Sequence, residues 1–299
     1  MPVGRRRLLL ALGTLPAWPA PAFAQPGSDL EEHELEVPGE RLARRALVLV
    51  PRSGPRPDRL VVLFHGLGET SSEALGIRAF ADRYGLVAAD RRLRRPPVER
   101  TLKDAVYLTD ERIGEVNAEL AREAYRGLSL VCPYTPNVFR QPSTAAALDR
   151  YATWVVEGLL PVVRRSLALP GGAESTGVDG VSLGGYVSLE VFLRKPEVFG
   201  AAGCLQGAFS VPLADVYAAR FAEALARVGR RSLRIASSSW DKGKPASDRL
   251  VKKLRERGIA CASSVTPGPH DQRWLREVGC LDALLHYDRA LSGPRGGTP

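Results

Sequence analysis

The chain has 299 residues, of which 44% are hydrophobic and 25% charged. That balance excludes a disordered or fibrous chain and suits one large soluble domain with a sizeable core. The formal net charge is +9, but residues 1–24 hold three arginines and no acidic residue, so without them it falls to +6 and basicity argues for no nucleic-acid partner.

Residues 1–24 read as a signal peptide: Arg5-Arg6-Arg7, an apolar run from Leu8 to Leu15, and Ala22-Phe23-Ala24 as a cleavage site ahead of Gln25. The run is too short to span a bilayer. A secreted or periplasmic destination follows, with no stable membrane anchor once the peptide is removed. The arginines suit either a twin-arginine or an ordinary secretory route. Beyond it, 25–299 is expected to form a single domain. Residues 33–37 and 44–50 predict two leading strands, and Leu60-Val61-Val62-Leu63-Phe64 a strand buried on both faces.

That strand ends in His65-Gly66-Leu67-Gly68. Acyl transfer builds negative charge on a carbonyl oxygen, and paired backbone N–H groups usually hold it. The turn fits that duty, with Leu67 as one candidate donor and His65 as a structural residue. A helix is predicted from Ser71 to Tyr84. Residues 85–127 exceed what a plain βα unit needs, so they predict a helical insertion, either a lid or an extra helix at the sheet edge. Its cluster Arg91-Arg92 and Arg94-Arg95 beside Pro96-Pro97 reads as a solvated surface turn. A strand at 128–132, a loop at 133–137 and a long helix at 143–167 follow.

Thr176 to Gly185 predicts a short strand, a small-residue turn and an amphipathic helix ending near Pro196. Gly180-Val181-Ser182-Leu183-Gly184 fits G-x-S-x-G, in which a serine sits on a sharp turn with its hydroxyl exposed above a sheet. Ser182 is thus the candidate nucleophile, and the N–H of Leu183 the second candidate oxyanion donor. Strands at 201–206, 233–237 and 259–265 alternate with helices at 213–228, 246–257 and 272–291. The order predicts an α/β fold with a mostly parallel sheet flanked by helices.

A serine hydroxyl needs a base. Of the four histidines, His33 lies near the mature N-terminus, His65 in the oxyanion turn and His286 on the final helix, whereas His270 stands in a loop directly after a later strand, Pro267-Gly268-Pro269-His270-Asp271. The acid that orients it should fall between nucleophile and base in sequence and follow a strand. Asp241 meets both conditions; Asp248 is the runner-up, and Asp215 reads as a helix-start carboxylate. The spacing of Cys132, Cys204, Cys261 and Cys280 matches no metal motif. A Cys261–Cys280 bridge is a pairing to test, with Cys132 and Cys204 expected as buried thiols.

These motifs, with Trp274 beyond the base loop, resemble the α/β-hydrolase superfamily over residues 44–290, and within it the secreted esterase D-like and feruloyl esterase-like serine hydrolases. The resemblance implies a Ser182-Asp241-His270 triad acting through an acyl-enzyme, oxyanion donors at Leu67 and Leu183, and no cofactor or metal. The expected substrate is a small-molecule or polysaccharide-linked carboxylic ester. A serine peptidase, an acyltransferase and a non-catalytic binding protein are the rival functions. Two departures stand out: Gly-Pro-His where the family commonly has Gly-Gly-His, and the 85–127 insertion.

Overall fold

A computed structural model describes residues 29–37, 39, 41–52, 57–100, 107–169 and 171–291. The signal-peptide reading of residues 1–24 lies outside these. Among the described residues eight strands form one sheet in the order β1-β2-β4-β3-β5-β6-β7-β8. They are β1 (Leu30–Glu36), β2 (Arg45–Pro51), β3 (Leu60–Phe64), β4 (Ser129–Pro133), β5 (Thr176–Gly180), β6 (Ala201–Leu205), β7 (Ser232–Ser238) and β8 (Ala262–Thr266). The two leading strands pair antiparallel with each other, and β2 pairs antiparallel with β4; from β4 through β8 every pairing is parallel.

The unbroken apolar run of β3 is explained by its place. Leu60, Val62 and Phe64 face one hydrophobic cluster and Val61 and Leu63 the other, so both faces are dry. One cluster takes α4 (Thr144–Thr153), α5 (Leu160–Leu167), α6 (Leu183–Arg194), α7 (Val211–Val228) and α8 (Lys244–Glu256). The opposite face takes residues of α1 (Glu73–Arg78), α2 (Leu86–Arg94), α3 (Asp110–Arg122) and, beyond the short α9 (Gln272–Trp274), of α10 (Cys280–Ala290). Ser72 caps α1 by accepting the Leu75 N–H, and Thr109 caps α3 by accepting the Arg112 N–H. The predicted helix over 143–167 is α4 and α5 joined by a wide π-type turn at Trp154–Leu159. Pro161, at the start of α5, brings no N–H, and a widened turn just ahead of it accommodates that loss.

Three expectations change. The arginine cluster lies at the end of α2 rather than on a turn, where Arg94 pairs with Asp90 and Arg95 reaches Asp29. The last strand is Ala262–Thr266, three residues shorter at its start than the apolar run suggests, and its residues are exposed or half-buried because it is the sheet edge. The Cys261–Cys280 bridge does not form, and all four cysteines are free thiols. Cys280 is buried on α10 with its Sγ on the Tyr84 carbonyl, whereas Cys261 lies beside β8 near the Ala262 carbonyl. Within the insertion, Val116 and Leu120 are buried, and α3 is tied to α10 by Arg112–Asp282 and Arg289–Glu119.

Candidate active site

The residues singled out from the sequence all sit beyond the carboxyl ends of parallel strands: Leu67 after β3, Ser182 and Leu183 after β5, Asp241 after β7 and His270 after β8. Open α/β sheets bind ligands at that end. Ser182 has φ 56 and ψ −116, a region that disfavours side-chain-bearing residues. Backbone bonds hold it there: Ser182 N–H donates to Leu205 O (2.9 Å), Val181 N–H to Phe64 O (3.0 Å), and Ala208 N–H to Ser182 O (3.0 Å). The flanking glycines are needed for close approach. A Cβ on Gly180 would overlap the Gly184 carbonyl, and one on Gly184 would overlap that of Phe64.

Gly66 brings the other candidate donor turn alongside; a Cβ built on it would lie 3.7 Å from Ser182 Cβ. Its N–H donates to Tyr84 Oη (3.1 Å), and the Tyr84 hydroxyl donates to buried Glu69. Glu69 Oε1 also accepts from Gln272 Nε2 at 3.0 Å, which links this turn to the helix after the His270 loop. Leu67 is 52% exposed and Leu183 only 1%. As the first residue of α6, Leu183 carries one of the N–H groups a helix start leaves unused, at the positive end of the helix dipole.

His65 is fully buried and structural, as its position suggests. Its Nδ1–H donates to Gly66 O (2.8 Å) while Nε2 accepts the Thr135 N–H (2.8 Å), which fixes a neutral tautomer. Burial lowers its pKa to about 4, with the Gly66 bond opposing. Because the folded value lies below the ordinary 6.5, its contribution is complete above pH 6.5 and is lost as pH falls toward 4. At about 1.4 kcal/mol per pH unit the loss reaches about 3 kcal/mol. Chemical denaturation of wild type and His65→Gln at pH 7 and pH 4.5 is expected to show the stability gap between them shrinking in acid; a constant gap would contradict this.

Asp241 and His270 meet at 2.9 Å between Oδ1 and Nδ1. Asp241 Oδ1 also accepts the Gly243 N–H (2.8 Å), and Oδ2 accepts the Ser237 hydroxyl (2.8 Å). Burial pushes this carboxyl up, but the bonds from His270, Gly243 and Ser237 outweigh it and leave the pKa below the ordinary value. An ionised acceptor at Nδ1 makes that nitrogen the donor and leaves Nε2 with a lone pair. The His270 side chain is 38% exposed and that of Asp241 only 1%, so the acid is dry and the ring reaches solvent. Asp248 pairs instead with Lys244 on α8, and Asp215 with Arg249. A cleft of about 720 Å³ opens here, with Ala208, Phe209, Trp240 and His270 in its lining. Among the described residues no group of three or more His, Cys, Asp or Glu could hold a metal ion.

Ser237, Gly243, Tyr84, Glu69 and Gln272 were not singled out from the sequence. They are isolated residues scattered over strand ends, turns and helix starts, Gly243 acting through its backbone N–H, and no local pattern marks them.

A mostly parallel sheet with a strand-turn-helix at Ser182 is the architecture of the α/β-hydrolase serine esterases. The chain belongs to the Esterase family, described as "Putative esterase", whose profile matches residues 132–289, and it is a carboxylic-ester hydrolase. Similar solved structures include a ferulic acid esterase at 15% identity, covering 87% of this chain and 99% of that one, with TM-score 0.63. An S-formylglutathione hydrolase from Staphylococcus aureus shows 14% identity, coverage of 87% and 99%, and TM-score 0.58. The feruloyl esterase module from Clostridium thermocellum complexed with sinapinate shows 14% identity, coverage of 89% and 92%, and TM-score 0.62. No curated protein sequence matches the chain.

Proposed function

We propose that the protein is an exported esterase in which Ser182 is the nucleophile, His270 the general base, Asp241 its orienting acid, and the N–H groups of Leu67 and Leu183 the oxyanion hole. The observation that carries the reading is the 2.9 Å contact between buried Asp241 and His270 at the sheet end that also presents Ser182 in its positive-φ turn. His270 Nε2 takes the proton as Ser182 Oγ attacks the acyl carbon, and Asp241 stabilises the imidazolium that forms. The charge on the carbonyl oxygen falls to the two backbone donors. Protonated His270 then returns its proton to the leaving alcohol, and water releases the acid from the acyl-enzyme by the same route in reverse.

Acyl recognition falls to the exposed aromatics. Trp240 is 64% exposed beside the cleft, and Phe139 is 54% exposed against Tyr186, one turn beyond Ser182. Flat apolar walls of this kind suit an aromatic or medium-length acyl group. A structural neighbour described as a ferulic acid esterase in complex with ferulic acid supports including aryl esters in the substrate class. Residues 107–122 form a fixed flank, since Tyr107 lies against Trp240 while α3 is anchored to α10. Residues 1–24 direct export; among the described residues no helix is long and apolar enough to cross a membrane.

Initial rates on p-nitrophenyl esters from acetate to octanoate, on methyl ferulate and on a small peptide panel test this, together with N-terminal sequencing of the exported protein. Ester turnover without peptide cleavage, and an N-terminus at Gln25, are expected. Peptide cleavage with no ester turnover, or an exported chain that retains residues 1–24, would contradict the corresponding part.

A further inference from the structure

Gln206 directly follows β6, is fully buried, and has φ 47, a left-handed conformation uncommon for a residue with a long side chain. Its N–H donates to Ala236 O at 2.8 Å on the adjoining strand. Its side-chain amide nitrogen lies 2.7 Å from Ser238 Oγ and 3.0 Å from Pro269 O. Ser238 Oγ is itself 3.1 Å from the same Pro269 carbonyl. A carbonyl only accepts, so the amide face toward Pro269 must be NH₂, and the Ser238 hydroxyl takes one proton from Gln206 and gives its own to Pro269. Two donors therefore converge on the carbonyl of the residue before His270.

We infer that Gln206, with Ser238, is a positioning residue that fixes the His270 imidazole relative to Ser182. The inference rests on the triad proposed above. Proline has no N–H, so its carbonyl is the backbone handle at that position. Upstream the loop is already tied to the acid loop, by Ser239 N–H to Thr266 O (2.9 Å) and Trp240 N–H to Gly268 O (3.0 Å). Asp241 holds Nδ1, which leaves the tilt of the ring about that contact to the peptide between residues 269 and 270. Gln206 sets that tilt. It also sits next to Leu205, whose carbonyl accepts the Ser182 N–H, so one strand end references both nucleophile and base. Strained backbone at such a residue fits a role in organising a site.

The test is steady-state ester hydrolysis by the full chain, comparing wild type, Gln206→Met, Ser238→Ala and Ser182→Ala, with Tm measured for each. Methionine keeps the length and loses the amide. A misplacement of the base approaching 1 Å should lower kcat by about 10- to 100-fold, with KM within about threefold because no substrate contact is removed. Ser238→Ala leaves one donor on Pro269 O and should lower kcat severalfold with KM unchanged. Wild-type kcat in Gln206→Met, or a loss carried by KM, overturns the inference while the triad stands. If Gln206→Met does not fold, Ser238→Ala decides, and an unchanged kcat there overturns it. Wild-type esterase activity that persists in Ser182→Ala, or no activity at all, brings down the triad reading and this one together.

Discussion

Ser182→Ala is expected to lower ester turnover by at least about 10⁴-fold while leaving Tm within a few degrees of wild type. The chemical loss is large because the oxygen that forms the acyl bond is gone, and only the oxyanion donors and substrate binding remain to accelerate attack by water. The fold is spared for a different reason. The bonds that hold position 182 at φ 56 run through its backbone, to Leu205 O and from Ala208 N–H, and an alanine keeps all of them. Paired kcat and thermal-melt measurements check both halves. A variant that retains a tenth of the wild-type rate would remove Ser182 from the chemistry.

Asp241→Asn should lower kcat by about 10²–10⁴-fold. The carboxylate has three partners, and the Ser237 hydroxyl can reverse its role and accept from an amide, so the site can still present an oxygen to His270 Nδ1. What disappears is the negative charge that stabilises the imidazolium in the transition state. The low pKa of Asp241 keeps that charge in place whenever His270 is neutral and able to act as a base. Asp248→Asn is the matched control: its carboxylate is half exposed on α8 and paired with Lys244, so kcat within about twofold of wild type is expected. The reverse ranking of the two variants would move the acid role to Asp248.

Much of this arrangement can be read directly from the sequence where local sterics or double-sided burial dictate it. Leu60–Phe64 is apolar throughout because helices cover both of its faces, and the spacing of Gly180, Ser182 and Gly184 reflects two carbonyls that leave no room for a Cβ. Thr109 and Ser72 announce helix starts because the capping bond is made within three residues. Features that depend on distant partners are silent. Among the described residues β8 has no neighbour beyond it, and that edge position depends on the rest of the sheet and not on its own residues. The Cys261–Cys280 pairing fails on geometry, since one thiol is buried on α10 and the other lies by the edge strand. Gln206 acts across 63 residues to Pro269, and Gln272 across 203 to Glu69, so neither belongs to any short motif.

The central claim is that Ser182 is the residue that becomes acylated. Treating the full chain with a fluorophosphonate ester and mapping the modified peptide by mass spectrometry tests it most directly. The account predicts one phosphonyl adduct, on the peptide containing Ser182, with labelling abolished in Ser182→Ala and strongly slowed in His270→Ala. An adduct on another residue, or labelling that persists in Ser182→Ala, would contradict it.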